Sequence, residues 1–316
     1  MTDLVIRPLA AGEEPLFDSL ADPGLVGPGA SGSRYSDGIA RGTYRPANTW
    51  VALRNGVVVA RAAWWGRPDQ GTPAVLDWFD FTDQEAAGQL LRAAPGPAEY
   101  SLALPPGWRD QPAVAEAAQA RITAAEAVGM TLLVERYGYR WTRARGLPAR
   151  PGRLEFRPEP DDDVILDIFR RVHQGSLDAH ARRVIAESGL DAAAAEDLEI
   201  LRLMPSPRGW WRLATADGDV VGLTVPSRNY TDPVIGYVAV LPEHRGHGYS
   251  YDLLVEATHL LVAEGADRII ANTDVTNLPM AATFAKAGYP VSDHRIDLVG
   301  YKAAGPPPGS RPGDGG

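Results

Sequence analysis

The chain has 316 residues, 45% of them hydrophobic and 22% charged, and a formal net charge of −9 at pH 7. This composition suits about two globular domains, and the acidic balance argues against a general nucleic-acid binder, which needs a basic face. The lack of cysteine excludes disulfides and thiolate chemistry, and the lack of a signal-peptide pattern or of an apolar run of about 18 residues predicts a cytoplasmic protein that does not bind membranes.

The first half of the chain alternates strand and helix patterns. A short strand is predicted at residues 4–9, and a strand, an Asn-Gly turn and a second strand are predicted within residues 50–60. The next strand, at residues 74–81, runs directly into the acidic helix cap Thr82-Asp-Gln-Glu, without a Gly-x-Gly loop. Acidic side chains at a helix start already interact with the positive end of the helix dipole, which an incoming anion would need. We therefore expect no phosphate binding there.

Three short stretches of the first half recur in the second half in the same order, at offsets of roughly 150 to 160 residues. The pairs are 4–9 with 154–159, 50–60 with 211–223, and 124–130 with 284–289. We therefore predict two copies of one fold, at 1–145 and 153–303, joined by a Pro/Gly-rich linker at 146–152. The Gly/Pro-rich tail at 304–316 cannot bury apolar side chains and is predicted to be disordered.

The second half is predicted to place its helices and strands in the same general order. Helices are predicted from residue 164 to residue 203, with an interruption near Gly189, and a hairpin turns at Asp217-Gly218. The later elements are a strand at 234–241, a helix at 251–264, a strand at 268–272 parallel to the 234–241 strand, a helix at 277–287 and a last strand at 295–301.

A glycine-bearing turn separates the 234–241 strand from the helix that follows it. Pro242 ends the strand, and the helix begins near Tyr249. Gly246 and Gly248 carry no Cβ, so an anion can approach the main chain closely. Free amides at a helix N-terminus favour a bound negative group, and this pattern is therefore typical of a phosphate-binding turn.

The turn Arg245-Gly-His-Gly-Tyr-Ser resembles the acyl-CoA pyrophosphate loop of GCN5-related N-acetyltransferases, whose pattern is Gln/Arg-x-x-Gly-x-Gly/Ala. Arg245 and Gly248 match this pattern, and Ser250 stands where Gly or Ala is usual. The stretch from Asn277 to Tyr289 resembles the later motif of the same family, Asn-x-x-Ala-x-x-x-Tyr-x-x-x-Gly-Phe. The resemblance implies an α/β (α+β) fold of two tandem acetyltransferase-like domains, each a mixed, mostly antiparallel sheet flanked by helices.

The resemblance also implies acetyl-CoA as the co-substrate. In the family, the pantetheine arm pairs with the main chain of a strand that is splayed from its neighbour, and Val238, Ala239 and Val240 stand there. The implied pyrophosphate contacts are Arg245, Gly246, His247, Gly248, Tyr249, Ser250 and Tyr251. Asn277 meets the pantetheine arm or caps its helix. We expect no metal site, because His244 and His247 have no third ligand nearby in the sequence.

Two departures from the family pattern concern proton transfer. Phe284 stands where many relatives have a tyrosine that protonates the departing thiolate, and Asn272 stands where some have a glutamate base. An attacking amine must lose a proton, and the candidate groups are Asp232, Tyr237 and Tyr230. Asp232 also fits a simple turn before a proline, and Tyr237 also fits the core or the substrate wall.

The sequence thus predicts an N-acetyltransferase that transfers an acetyl group from acetyl-CoA to an amine of a small molecule, as a monomer or homodimer. The missing tyrosine and glutamate leave open a non-catalytic CoA-binding or regulatory protein. A transferase that uses a longer acyl-CoA or a carrier-protein thioester is the other alternative. The first copy is expected to support the second or to cover part of its substrate cleft.

Overall fold

A computed structural model of the chain describes residues 4–21, 23–69, 73–94, 99–159 and 161–300. Contacts divide the chain into two compact units, which we call unit 1 (Met1–Leu133 with Ile296–Gly316) and unit 2 (Val134–Arg295). The predicted disordered tail at 304–316 lies outside the described residues. In the ranges given, no helix combines the length and apolar character that crossing a membrane requires.

The described residues form twelve strands and ten α-helices. The strands are β1 (Leu4–Pro8), β2 (Thr49–Arg54), β3 (Val57–Gly66), β4 (Pro73–Phe81), β5 (Glu99–Leu104), β6 (Met130–Thr142), β7 (Glu155–Pro158), β8 (Arg212–Ala216), β9 (Asp219–Arg228), β10 (Pro233–Val240), β11 (Arg268–Asp274) and β12 (Val291–Gly300). The α-helices are α1 (Glu14–Asp18), α2 (Gly27–Ala30), α3 (Tyr35–Arg41), α4 (Gln84–Ala93), α5 (Pro112–Glu126), α6 (Asp162–His173), α7 (Ala179–Ser188), α8 (Leu190–Arg202), α9 (Tyr249–Ala263) and α10 (Leu278–Lys286). The predicted break at Gly189 separates α7 from α8.

Unit 1 contains a mixed sheet in which β1 to β5 lie side by side in chain order. The pairs from β1 to β4 are antiparallel, whereas β4 and β5 run parallel and share the single register position Leu76↔Tyr100. As predicted, α4 begins at an acidic cap: the carboxylate of Asp83 accepts a hydrogen bond of 3.0 Å from the amide of Ala86. The helix start of unit 1 therefore already holds a negative group.

In unit 2 the strands lie in the order β6-β11-β10-β9-β8-β7, and their pairings are again of mixed direction. One core cluster joins α6 and α8 to β8 and β9 through residues such as Phe169, Leu198 and Leu223. Another cluster joins α9 and α10 to β6 and β11 through residues such as Leu254 and Ile269. Sheets of mixed direction flanked by helices confirm the predicted fold class.

The limits of the two units fall inside β6 and β12 rather than in the Pro/Gly-rich stretch at 146–152. The physical reason lies in β6, whose residues from Arg136 to Thr142 pair antiparallel with β11 across a long sequence separation. This pairing brings the end of the first sequence half into the sheet of unit 2. The domain limits at 145 and 153 were inferred from the sequence repeat, and they stay a prediction.

Candidate functional site

The candidate site lies where β10 and β11 part. These two strands share one register position, Val234↔Ile270, while β10 pairs with β9 along its whole length. Among the described residues, the edge of β10 that faces β11 has no other strand partner beyond Val234. A β-bulge at Gly236 bends the strand here, and a Cβ on Gly236 would lie only 2.9 Å from the carbonyl oxygen of Val225. A residue without a side chain is therefore required at the point of divergence.

A cleft of about 790 Å³ opens along this edge within unit 2. Ten of the residues predicted to act in binding or catalysis line it: Tyr237, Val238, Ala239, Val240, Arg245, Gly246, Gly248, Tyr249, Ser250 and Asn277. The structure thus brings the end of one strand, the glycine loop and the start of α10 to one opening. Their roles toward a ligand stay predictions.

The glycine loop presents free amides to this cleft. Gly246 and Gly248 have φ values of 83° and 74°, which L-residues with a side chain rarely adopt, and Gly248 is the N-cap of α9. The preceding amides, of His244 and Arg245, are bonded to carbonyls within the turn. Within the described chain, the five successive amides from Gly246 to Ser250 donate no hydrogen bond. Together with the positive end of the α9 dipole they form a binding place for an anion.

Arg153 supports the loop from outside the cleft. Its guanidinium donates to the carbonyl oxygens of His247 (2.9 Å) and Gly248 (3.2 Å), and it pairs with the carboxylate of Asp252. Asp252 is buried in the first turn of α9, so Arg153 neutralises a charge that would otherwise repel an anion at the helix start. The sequence analysis missed both residues. A carboxylate inside an apolar helix, which needs a cationic partner, was the available signal.

Arg245 and Ser250 use their side chains within the protein. The guanidinium of Arg245 donates to the carbonyl oxygens of Val172 (3.0 Å) and Val240 (3.4 Å), so it ties the end of α6 to the loop. The hydroxyl of Ser250 lies 2.9 Å from the hydroxyl of Thr283 and links α9 to α10. This contact explains how a serine fits where the family pattern has Gly or Ala.

Three other predicted contacts have partners in the protein as well. The Nδ1 of His247 lies 3.1 Å from the carbonyl oxygen of Arg245, and the ring of Tyr251 lies 4.2 Å from the ammonium of Lys286. Neither His247 nor Tyr251 lines the cleft. The side chain of Asn277 caps α10 by accepting from the amide of Met280 at 3.2 Å. The capping alternative for Asn277 is therefore the one that the geometry shows.

The predicted proton-transfer candidates lie in different places. Asp232 does not line the cleft: its carboxylate pairs with Arg268, and its main chain closes a turn with Asn229. Its position matches the turn alternative, and we do not carry it into the proposed site. Tyr230 does not line the cleft either, whereas Tyr237 forms part of its wall.

The two positions that depart from the family pattern both line the cleft. Phe284 is buried and stacks on Tyr139, with 4.4 Å between the ring centroids. Asn272 lies on β11, opposite the open edge of β10. The cleft therefore has no acidic or phenolic side chain at these two places, and any proton transfer must use other groups.

Titratable groups that the sequence analysis did not select also reach the cleft. Asp178, which caps α7, and Asp197, on α8, line it together with His173. Arg136 also lines the cleft: it lies 3.5 Å from the carboxylate of Asp178 and donates to the buried carboxylate of Asp274 at 3.0 Å. Burial raises the pKa of Asp274, and the charge of Asp178 raises it further. These residues come from separate elements, so no local sequence motif marked them.

Comparison with known proteins agrees with this geometry. Residues 174–289 match the model of the acetyltransferase (GNAT) family. No curated protein sequence matches the chain significantly.

Two solved structures are similar over almost the whole chain. The GCN5-related N-acetyltransferase from Sphaerobacter thermophilus has 14% identity and a TM-score of 0.57 over 93% of this chain and 94% of that one. A tandem GNAT protein from the clavulanic acid biosynthesis pathway, solved without AcCoA, has 18% identity and a TM-score of 0.51 over 94% and 98% of the two chains. At such identities the likeness shows the fold. The fold predicted from the resemblance is confirmed, and the chain carries a domain of the acetyltransferase (GNAT) family at residues 174–289.

Proposed function

We propose that unit 2 is an N-acetyltransferase that transfers an acetyl group from acetyl-CoA to an amine of a small molecule. The observation that carries this proposal is the row of free amides from Gly246 to Ser250, placed at the end of a strand whose edge is open. Free amides fit a diphosphate, and an open strand edge fits an extended arm that carries amides. The GNAT family match over residues 174–289 supports an acyltransferase.

The pyrophosphate of CoA is assigned to the glycine loop. Five successive N–H groups of this loop donate no hydrogen bond within the described residues, and the start of the α9 dipole adds a positive field. Arg153 keeps Asp252 neutralised, so the buried carboxylate does not oppose the bound charge. The pantetheine arm, which carries two amides, is assigned to the free edge of β10 from Val238 to Val240, where it pairs as an added strand does.

The acceptor amine is assigned to the part of the cleft that Asp178 and Asp197 line. Both residues line the cleft, and carboxylates favour an ammonium group over a neutral or anionic one. Once the amine has lost a proton, its nitrogen attacks the thioester carbonyl, the C–N bond forms, and the C–S bond breaks with its electron pair going to sulfur. Holding both reactants in one cleft supplies much of the rate of such a transfer.

Two measurements test the proposal. Calorimetry with CoA is expected to show binding, and mass spectrometry of a panel of small amines with acetyl-CoA is expected to show addition of one acetyl group. Lack of CoA binding would overturn the proposal outright. Binding without any acylated product would indicate a CoA-binding or regulatory protein instead. Product formed from longer acyl-CoAs or carrier-protein thioesters but not from acetyl-CoA would identify a different acyl donor.

A further inference from the structure

Arg245 directly precedes the five free amides of the glycine loop, but its side chain is bonded to two other elements. Its Nη2 donates to the carbonyl oxygen of Val172 on α6 at 3.0 Å, and its Nε donates to that of Val240 on β10 at 3.4 Å. A guanidinium that turned toward a bound diphosphate would have to give up these bonds. Arg245 therefore links the last turn of α6 to the end of the open strand.

The carbonyl of Val172 lies at the C-terminus of α6, where main-chain acceptors have no partner within the helix. The next carbonyl, of His173, accepts from the amide of Ser176 at 3.1 Å, and the carbonyl of Val172 accepts from Arg245. A cation placed there also meets the negative end of the helix dipole. Arg245 is therefore a C-terminal cap of α6 that is supplied from the glycine loop.

The chain that follows this cap joins α6 to α7 at residues 174–178, which we call the acceptor wall. Four of its five residues line the cleft: Gly175, Ser176, Leu177 and Asp178. Gly175 has a φ of 75°, and a Cβ on it would lie 3.7 Å from Nη1 of Arg245, so the guanidinium packs directly beside this turn. The acceptor wall also carries Asp178, one of the two carboxylates to which the acceptor amine is assigned.

The two ends of the acceptor wall are held by different groups. At the α7 end, the amide of Ala179 donates to the buried carboxylate of Asp274 on β11 at 2.7 Å. At the α6 end, Arg245 caps the helix, and Arg171 forms an ion pair with Glu243. Both partners of that pair are exposed, and exposed pairs of long side chains contribute little to stability. Of these two contacts, the cap by Arg245 is therefore the one that fixes the α6 end.

We propose that Arg245 is a positioning residue for the acceptor amine: it fixes the acceptor wall in the cleft, while main-chain amides hold the diphosphate. This inference rests on the proposed function. Arg245 acts through the wall, because its bonds set where the chain leaves α6 and thereby where Asp178 stands. The family resemblance instead assigned this arginine to the pyrophosphate, so the two assignments predict opposite effects of its removal on the two substrates.

Hydrogen exchange tests whether Arg245 holds the acceptor wall, and it needs no substrate. In Arg245→Gln, the amides of residues 174–178 are expected to exchange about fivefold faster than in the wild type, the scale of one solvent-exposed bond to a helix end. Arg228→Gln is the matched control, and it should leave this exchange unchanged. Arg228 also caps a helix C-terminus from another element, since it donates to the carbonyl oxygen of Glu264 at 2.9 Å, but it does not line the cleft.

Kinetics and calorimetry test which substrate depends on Arg245. The acceptor probe is the amine of the panel that the wild type acetylates fastest. In R245Q, KM for this amine is expected to rise about fivefold, while kcat and the dissociation constant of CoA each change by less than about twofold. A general loss of structure would not produce this split, because it would affect both substrates. R228Q should show none of these changes.

Two results for the variants would overturn the inference while leaving acetyl transfer in place. A loss of CoA affinity in R245Q with an unchanged KM for the amine would return Arg245 to the pyrophosphate. Exchange at residues 174–178 that is the same in R245Q and in the wild type would show that the acceptor wall does not depend on the arginine. If the wild type itself binds no CoA or acetylates no amine, the proposed function fails and the inference with it, and this failure is read without any variant.

Discussion

The two units share a parted pair of parallel strands but treat the opening differently. In unit 1, β4 and β5 share one register position, Leu76↔Tyr100, and in unit 2, β10 and β11 share Val234↔Ile270. In unit 1 the helix that follows is capped by the carboxylate of Asp83. In unit 2 the corresponding cap is Gly248, and the amides around it are free. The divergence of the strands is thus common to both units, whereas the candidate anion-binding site depends on a few residues of one turn.

In unit 1, the main chain beside the diverging strands also has a side-chain partner. In unit 1, Arg121 on α5 donates to the carbonyl oxygen of Phe79 on β4 at 3.0 Å and to the buried carboxylate of Asp80 at 2.8 Å. Arg61 completes this charge cluster through its contact of 3.1 Å with Asp80. A ligand arm would have to displace a buried, hydrogen-bonded ion pair, which costs several kcal/mol. We infer that unit 1 supports the protein rather than binding CoA at this place.

The largest expected effect comes from giving unit 2 the acidic cap of unit 1, with Gly248→Asp. Asp tolerates the left-handed backbone better than most residues, so the fold should survive. A carboxylate at the start of α9 should lower CoA affinity by about 100-fold, since opposing like charges costs about 3 kcal/mol. Gly265→Asp is the matched control: Gly265 has a similar φ of 88°, and its Cβ would meet nothing within 4 Å. Calorimetry showing equal CoA affinity in both variants would contradict the assignment of the loop.

The second effect concerns the support of the loop, tested by Arg153→Ala. Removal of the guanidinium leaves Asp252 buried without its partner, and we expect a loss of about 2 kcal/mol in unfolding free energy and of about tenfold in CoA affinity. Arg150→Ala is the control, because Arg150 pairs with Glu256 on the same helix but does not reach the loop. Urea unfolding and calorimetry report the two quantities, and an Arg153 variant that behaves like the Arg150 variant would refute the role of Arg153.

The third effect tests whether Asp83 stands in for an anion at α4. The hydrogen bond from the amide of Ala86, helped by Arg54, holds the pKa of Asp83 below its usual value. A lowered acid pKa contributes stability that is present above the unfolded pKa of about 3.9 and is lost as pH falls through the folded pKa. Asp83→Ala should therefore cost about 1 kcal/mol at neutral pH, and this cost should vanish on acidification. A cost in urea unfolding that is independent of pH would show that the charge is not involved.

The smallest effect is expected for Ser250→Ala. The variant loses the hydrogen bond with Thr283 and should be about 1 kcal/mol less stable, while CoA affinity stays the same because the amide of residue 250 is retained. Thermal unfolding and calorimetry check the two statements. A large loss of CoA affinity would mean that the hydroxyl itself contacts the ligand, contrary to its contact in the structure.

Local signals made part of this site predictable from sequence. The strand ending at Pro242, the glycines at 246 and 248 and the capped helix at Asp83 are each encoded within a few neighbouring residues. Glycine is the residue that left-handed positions favour, and carboxylates favour helix starts, so these patterns transfer directly to structure. The parallel pairing of the 234–241 and 268–272 strands was also predictable, because a crossover helix separates them.

Long-range pairings made the rest unpredictable. Arg153 meets Asp252, and His173 meets Asp197, across sequence distances at which no periodicity links the residues. The pairing of β6 with β11, which places the unit limit before the linker, has the same origin. Asp232 shows the opposite difficulty, since its local sequence fits both a turn and a base, and only its contact with Arg268 distinguishes them.

The bulge at Gly236 opens the sheet without repacking it. Ile235 and Tyr237, on either side of the bulge, pack on opposite faces of the sheet: Ile235 against the cluster of α9, and Tyr237 against that of α6 and α8. Because the bulge adds one residue between them, they behave as two consecutive residues of a regular strand would. The extra residue bends the backbone but leaves the alternation of faces on either side intact. Insertion of one glycine into an antiparallel strand is thus a minimal route by which a closed sheet can acquire a ligand slot while its hydrophobic layers persist.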